Sequence, residues 1–172
     1  MDFLELAQQR YSCRGFSDKE VEEEKIEKLL KAARLAPTAV NFQPQRILVI
    51  TDKAKIKELE VSNCTRYTFG APLFMVICYD KEVSWKRRFD GNDMGVVDAS
   101  IVTTHIMLEA TALGLGSTWV GSFDPEIART VLSIPENYTP VAMLPIGYPS
   151  AEPSNRHFIR QDTDKFVFRN TF

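Results

Sequence analysis

Residues 93–116 are the stretch of the sequence that most limits the folds open to this chain. The stretch reads DMGVVDASIVTTHIMLEATALGLG and is apolar on nearly every side, with Asp98, His105 and Glu109 interrupting it. A membrane span is one interpretation, but three ionisable groups within about twenty residues argue against it. A helix that is hydrophobic all round belongs at the centre of a fold. We therefore predict a buried central helix, with a subunit contact as a second place for its apolar surface.

Helical and strand patterns alternate along the rest of the chain. Residues 16–37 carry the clearest helical stripe, through Ile26, Leu29, Leu30 and Ala33, and Pro37 ends it. Further helices are predicted over residues 3–10, 53–61 and 124–133. Buried strands are predicted over residues 46–51 and 72–79, and further strands over 117–123 and 139–149. Such interleaving predicts an α/β or α+β sandwich of helices around one central sheet. The sequence contains neither a dinucleotide-binding G-x-G-x-x-G after a strand nor a Walker A motif, so it does not indicate a doubly wound nucleotide fold.

Composition excludes several classes of function. A length of 172 residues suits a single domain, and a net charge of −2 argues against nucleic acid as the main partner. Three cysteines without a C-x-x-C pair indicate neither a zinc site nor a disulfide framework, and no apolar signal segment is seen at the N-terminus. We expect a cytoplasmic protein. His105 and Glu109 have a spacing that can bind metal, but without a third ligand a core pair is the preferred interpretation, and no metal site is predicted.

Two arginines flank a serine in the stretch RYSCRGF, residues 10–16. Cations at the end of a helix gain only a few tenths of a kcal/mol from its dipole, so the dipole does not account for Arg10, Ser12 and Arg14 lying so close in sequence. An arginine fork binds a phosphate with two hydrogen bonds and never deprotonates. The cluster therefore indicates a site for an anion.

Four stretches together resemble the FMN-dependent nitroreductase family in its short form. They are Arg10-x-Ser12-x-Arg14, APTAVNFQP (36–44), GLGSTWVGSF (114–123) and GYPSAEPSNRHF (147–158). The resemblance covers nearly the whole chain and implies an α+β fold, an α/β/α sandwich with a central, mainly antiparallel sheet. It also implies a homodimer with two FMN sites at the subunit interface. Residues 1–172 would form one FMN-binding domain, with residues 150–172 as a C-terminal extension that wraps the partner.

The resemblance assigns a role to each part of the arginine cluster. Arg10 and Ser12 would hold the FMN phosphate, with Arg156 after the last strand and Tyr11 as a further contact. Arg14 would reach the pyrimidine edge of the flavin ring, where a fixed cation stabilises the charge that gathers on reduction. Cys13, between them, could have a lowered pKa beside these cations, although inert packing is the preferred interpretation.

Two further segments would flank the flavin ring. The resemblance implies that a neighbouring subunit lays a loop against it, with contacts from Pro37, Thr38, Ala39, Asn41 and Gln43. The family usually has an aromatic residue after Gln-Pro, whereas this chain has glutamine at position 45.

The second segment is a strand with cofactor contacts from Trp119, Val120 and Gly121, whose backbone amide near Gly121 would point at flavin N5. Trp85 and Phe89 in SWKRRFDGND (84–93) suggest a mobile loop near the flavin that shapes substrate access. Single-stranded nucleic acid is the weaker interpretation of that basic, aromatic run.

The implied activity is an NAD(P)H-dependent FMN oxidoreductase with a ping-pong mechanism. NAD(P)H would stack transiently on the flavin, give it hydride and leave, and a nitroaromatic, quinone or similar small oxidised substrate would then take its place. Transient stacking explains the absence of a dinucleotide fingerprint. Alternatives are a specialised flavoenzyme for reductive dehalogenation or oxygen-linked oxidation, and an FMN-binding redox sensor in which Cys13 reports oxidant. No membrane or nucleic-acid partner is expected.

Overall fold

Residues 2–172 are described by a computed structural model, in which five α-helices surround four β-strands. The helices are α1 Phe3–Gln9, α2 Glu23–Leu35, α3 Lys53–Val61, α4 Gly95–Ala112 and α5 Pro125–Leu132. The strands are β1 Gln45–Ile50, β2 Leu73–Asp80, β3 Gly116–Ser117 and β4 Tyr138–Gly147.

The four strands form one sheet in the order β1-β2-β4-β3, and every neighbouring pair is antiparallel. Strand β2 is central, and all eight of its residues are buried. A strand buried on both faces needs an apolar run rather than an alternating pattern, which is what LFMVICYD supplies apart from its last residue. The sheet therefore divides the interior into two cores.

Helices cover both faces of the sheet. One core joins the stripe of α2 (Ile26, Leu29, Ala33) with the buried side of α4 and one face of β2. The other joins α3 and α5 with the opposite face, where Leu59, Phe74 and other side chains pack. This arrangement confirms the predicted α+β sandwich around a mainly antiparallel sheet, and it confirms that the apolar stretch 93–116 supplies a helix packed at the core.

Local sequence signals set several helix boundaries. Asp2 and Glu5 form a capping box at the start of α1. The Asp124 carboxylate accepts hydrogen bonds from the backbone N–H groups of Glu126 and Ile127, and Pro125 occupies the first turn of α5, as predicted. Helix α2 ends just before Pro37, because the residue preceding a proline is driven into extended backbone.

Other boundaries differ from the prediction. Helix α2 begins at Glu23 rather than near residue 16, because Phe16 and Ser17 pair with residues 148–149 instead. The predicted strand 117–123 is largely wrong, because only Gly116–Ser117 form a ladder and Val120 adds a single bridge to Met143. Leu30 is partly rather than fully buried. The prediction that β1 is a buried strand is wrong, because β1 lies at the edge of the sheet and only Ile50 of its six residues is buried.

The C-terminal stretch has no strand within the chain. Residues 150–172 contain two short 3-10 turns, Asn155–Phe158 and Thr163–Lys165, and are otherwise irregular. Four apolar side chains near the end are exposed, namely Phe166, Val167, Phe168 and Phe172. Across residues 2–172, no helix combines the length and the apolar character needed to cross a lipid bilayer.

Candidate functional site

A positively charged cleft lies between the segment that follows α1 and the first C-terminal 3-10 turn. It encloses about 220 Å³ and is lined by Arg10, Tyr11, Ser12, Arg14, Ser154, Arg156, His157 and Arg160. The structure thus brings together five of the residues expected to bind the cofactor, although Arg156 is more than 140 residues from the others in sequence.

One wall of the cleft is attached to the edge of the sheet. Ser12 forms a parallel bridge with Ser117 of β3, and the Cys13 N–H donates to the Ser117 carbonyl at 3.0 Å. Gly116 makes this approach possible, since a Cβ there would lie 2.7 Å from the Cys13 Cβ. The backbone of the arginine-serine segment is therefore fixed by strand pairing, while Ser12 and Arg14 remain exposed.

The opposite wall is held by residues from the C-terminal stretch. The Ser150 N–H donates to the Gly15 carbonyl at 2.9 Å, and the Tyr11 hydroxyl donates to the Ala151 carbonyl at 2.7 Å. A His157 ring nitrogen lies 3.0 Å from the Gln8 carbonyl. These long-range contacts place the turn that carries Arg156 beside Arg10.

Four arginines make the cleft strongly cationic. Among residues 2–172, no carboxylate forms a salt bridge with Arg10, Arg14, Arg156 or Arg160. Burial lowers the pKa of Arg10, and the nearby Arg160 charge lowers it further, although an arginine remains protonated at any ordinary pH. Uncompensated guanidinium groups beside a serine hydroxyl are the donor set that a phosphate monoester requires, so this cleft fits the phosphate of FMN.

Tyr11 and Cys13 support the backbone beside the cleft through their hydrogen bonds. Burial, with smaller contributions from Cys13 and Glu152, raises the pKa of Tyr11 to about 12, so its hydroxyl stays protonated and donates to Ala151. Cys13 is fully buried and its thiol donates to the Gly15 carbonyl at 3.1 Å. This enclosure agrees with the inert-packing interpretation of Cys13.

The loop predicted to contact a flavin lies elsewhere in the chain. Its residues Pro37, Thr38, Ala39, Asn41 and Gln43 do not line the arginine cleft. The loop has an unusual backbone, with φ values of 47° at Val40, 56° at Asn41 and 51° at Gln43. Residues other than glycine held at such angles cost roughly 1–3 kcal/mol each and persist only where surrounding contacts enforce them.

One enforcing contact comes from the central helix. The buried Asp98 carboxylate accepts a hydrogen bond from the Ala39 N–H at 2.7 Å through Oδ1. Burial raises the pKa of Asp98, and the Ala39 hydrogen bond partly opposes this rise. Thr38 adds a local contact, since its Oγ1 accepts from the Gln43 N–H at 3.1 Å.

The third predicted group, Trp119, Val120 and Gly121, follows β3 and also lies outside the cleft lining. Val120 exchanges two backbone hydrogen bonds with Met143, of 2.9 and 3.0 Å. Gly121 is exposed, and a Cβ there would meet only the Trp119 ring, at 3.5 Å. The backbone is therefore fixed at Val120 by its bonds to β4 and exposed at Gly121.

Sequence reasoning missed Ser154, His157 and Arg160 in the cleft. His157 adjoins Arg156 within the 3-10 turn, and Arg160 lies two residues after the turn ends at Phe158. The basic spacing in NRHFIR is a visible signal for these residues, but the direction of the His157 ring depends on its contact with the distant Gln8 carbonyl. Arg160 is held locally, since it donates to the Ile159 carbonyl at 2.8 Å and to that of His157.

Two other candidates from the sequence stand apart from this cleft. His105 is half-buried, with its Nδ1 2.9 Å from the Ile101 carbonyl. Residues 2–172 contain no group of three or more His, Cys, Asp or Glu side chains placed to hold a metal. In the loop 84–93, Phe89 is 97% exposed while Trp85 is half-buried.

Comparison with known proteins identifies the family. The chain belongs to the nitroreductase family, whose model matches residues 7–67 and 64–148. A relative from Archaeoglobus fulgidus, 37% identical over 87% of this chain and 86% of its own length, is named NADH dehydrogenase/NAD(P)H nitroreductase. The resemblance predicted from the four stretches is therefore confirmed.

Solved structures agree in fold. A nitroreductase family protein from Clostridium difficile has a TM-score of 0.93 and 45% identity, with 100% of both chains covered. An FMN-dependent nitroreductase from the same species has a TM-score of 0.82 and 32% identity, covering 99% of this chain and 100% of its own. The fold of this chain is thus the nitroreductase fold.

Proposed function

We propose that this protein is an FMN-dependent oxidoreductase that uses NAD(P)H to reduce nitroaromatic, quinone or similar small oxidised acceptors. The observation that carries the proposal is the cleft of Ser12 and four arginines, which form no salt bridge within residues 2–172, in a member of the nitroreductase family. Relatives support both the cofactor and the donor. A Bacillus subtilis protein, 25% identical over 88% of this chain and 67% of its own length, is named FMN reductase [NAD(P)H].

Each group of residues has a separate task in this proposal. Arg10, Ser12 and Arg156 bind the phosphate and fix the position of the cofactor. Arg14 provides a fixed positive charge, which stabilises negative charge at the pyrimidine edge of the ring. The backbone around Gly121 offers a donor, and the absence of a side chain there permits close approach. When bound, FMN supplies the hydride chemistry.

We propose further that the active unit is a homodimer in which the loop 37–43 serves the partner's site. Exposed apolar side chains support this assembly, among them Phe3, Leu4, Val96 and Val97 on α1 and α4. The C-terminal residues 165–172, with their exposed phenylalanines, would cover the partner. Obligate interfaces commonly bury more than about 2,000 Å², which such surfaces can provide. A folded, flavin-loaded monomer in sedimentation at micromolar concentration would refute the shared site.

A spectroscopic experiment tests the function. The purified protein should be yellow, NADPH or NADH should bleach the flavin band without oxygen, and menadione should restore it. A ping-pong mechanism gives parallel double-reciprocal plots when donor and acceptor are varied. A colourless protein that binds no added FMN would exclude the proposal.

The alternative enzyme activities within this fold differ in the substrate that accepts electrons from the reduced flavin. A screen of nitroaromatics, quinones, halogenated aromatics and oxygen against the reduced protein distinguishes a nitroreductase from a dehalogenase or an oxidase. A redox sensor that uses Cys13 would need an accessible thiol, and that side chain is 0% exposed.

A further inference from the structure

Asp98 is a buried carboxylate that the proposed chemistry leaves without a task. It lies in the first turn of α4 with 1% of its surface exposed. Its Oδ1 accepts the Ala39 N–H at 2.7 Å, whereas its Oδ2 is buried without a hydrogen-bond partner. Burying a carboxyl group with half of its acceptors unsatisfied costs stability, so a purely structural role would be served better by an apolar side chain.

Ala39, which donates its N–H to Asp98, lies near the start of the strained loop. Within Thr38–Gln43, the Asn41 and Phe42 N–H groups donate to carbonyls of the same loop, and the Gln43 N–H donates to Thr38 Oγ1. Among the hydrogen bonds of residues 2–172, the one to Asp98 is the bond that joins this loop to helix α4. Arg46 also donates to the Gln43 carbonyl, at 3.4 Å, but this contact holds the end of the loop. Without the bond to Asp98, the beginning of the loop would be held only by its own contacts and would relax from the positive φ angles at Val40 and Asn41.

The loop also presents apolar side chains to its surroundings. Val40 is 63% exposed and Phe42 51% exposed, although both lie on a backbone that is costly to form. A strained segment with exposed apolar tips, tied to the most buried helix, is pre-organised for a contact outside its own protomer.

We propose that Asp98 is a positioning residue that holds the loop 38–43 in the conformation required to complete the cofactor site of the partner subunit. This inference rests on the proposed function, because it concerns the loop assigned to the partner's flavin. Asp98 acts only through the Ala39 N–H and touches neither cofactor nor substrate.

Substitutions at both ends of the hydrogen bond separate this role from simple packing. Asp98→Asn keeps an oxygen that can accept from Ala39, whereas Asp98→Ala removes it. Ala39→Pro removes the donor, and its ring Cδ, which takes the place of the amide hydrogen, also pushes the loop and the Asp98 carboxylate apart. Thr38 already has the extended backbone that a residue before proline requires. Thr103→Val is the matched control, because Thr103 is equally buried on α4 and its hydroxyl bonds only to the Ala99 carbonyl.

Two measurements on the full-length dimer test the proposal, namely exchange of the Ala39 amide proton by NMR and the Kd for FMN by fluorescence quenching. Loss of a hydrogen bond to a charged group corresponds to about tenfold or more, so Asp98→Ala should speed exchange and weaken FMN binding by at least about tenfold. Ala39→Pro should weaken FMN binding to the same extent. Asp98→Asn should stay within about threefold of the parent in both measurements, and Thr103→Val should keep the parent's Kd whatever its effect on the Tm.

Several results would overturn the inference. They are an Asp98→Ala protein with rapid exchange at Ala39 and the parent's Kd, an Asp98→Asn protein as impaired as Asp98→Ala, and an Ala39→Pro protein with the parent's Kd. If Asp98→Ala does not fold, Ala39→Pro and Asp98→Asn decide the question together: parent-like FMN binding in Ala39→Pro overturns the inference, and weakened binding in Ala39→Pro with parent-like binding in Asp98→Asn supports it. Failure of the proposed function looks different, because the parent protein itself would then bind no FMN.

Discussion

Arg10 and Arg14 lie four residues apart in one cleft, yet their replacement should have different effects on the protein. Arg10 is assigned to the phosphate, whose charge is constant during turnover. Arg10→Ala should therefore weaken the binding of oxidised FMN and of reduced FMN equally. A charge-assisted hydrogen bond contributes about 1.5–3 kcal/mol, which corresponds to a rise in Kd of about one to two orders of magnitude. The loss should not exceed about two orders of magnitude, because three arginines remain in the cleft and the substitution removes the repulsion between Arg10 and Arg160. Excess FMN should restore activity.

Arg14 is assigned to the ring edge, where charge appears only on reduction. Arg14→Gln should therefore bind oxidised FMN nearly as well as the parent, but the flavin midpoint potential should fall. If Arg14 stabilises the reduced state by about 1.4 kcal/mol, the fall for two electrons is about 30 mV. Hydride transfer should remain slow even at saturating FMN.

The assay is an FMN titration combined with an anaerobic redox titration of each variant. Arg34→Ala is the control, since Arg34 is an exposed arginine in the last turn of α2 and does not line the cleft. The role assignment is wrong if Arg14→Gln keeps the parent's potential, or if added FMN restores both variants equally.

Three further predictions concern the rest of the molecule. Truncation before Lys165 should loosen the dimer and release FMN, and unchanged flavin retention in gel filtration would contradict the role given to the C-terminal stretch. Hydrogen bonds from Tyr148 and Lys19 lower the pKa of Glu22 from 4.5 to about 2, so its stabilisation is complete above pH 4.5 and is lost as the pH falls toward 2. Glu22→Gln should therefore flatten the dependence of Tm on pH in that window, and an unchanged slope would refute this. Gly116→Ala should push the Cys13 segment off β3, lower stability by about 1–3 kcal/mol in a denaturant titration and weaken FMN binding, whereas parent-like values would show that the edge can adjust.

Much of this architecture follows from local patterns. The Asp124-Pro125 pair predicts the start of α5, and uninterrupted apolar runs predict β1 and β2, because these signals depend on neighbouring residues alone. The stretch 16–22 failed as a helix because Phe16 and Ser17 bond to residues more than 130 positions away. No periodicity in a short segment can show such a pairing.

The residues of the site also fall into those that a local pattern predicts and those that depend on distant contacts. The spacing of Arg10, Ser12 and Arg14 predicts their part of the site, and the family resemblance supplies Arg156. His157 enters the cleft through its contact with the Gln8 carbonyl, which no local pattern shows. The bond between Asp98 and Ala39 joins two segments 59 residues apart, and the sequence shows only an acid in an apolar helix. Burial of that acid, rather than its position in a motif, identifies it.

The sheet order also has a consequence for how the chain is made. Strand β2 pairs with β1 on one side and with β4 on the other, and residues 81–137 must be synthesised before β4 appears. At about 5–20 residues per second, this takes roughly 3–10 s, during which one edge of an almost uncharged strand, LFMVICYD, has no partner. Such segments associate with one another when their edges are open. We therefore expect a chain that ends before Tyr138, and so lacks β4, to scatter more light than the full-length chain at the same concentration, because its β2 keeps one edge open.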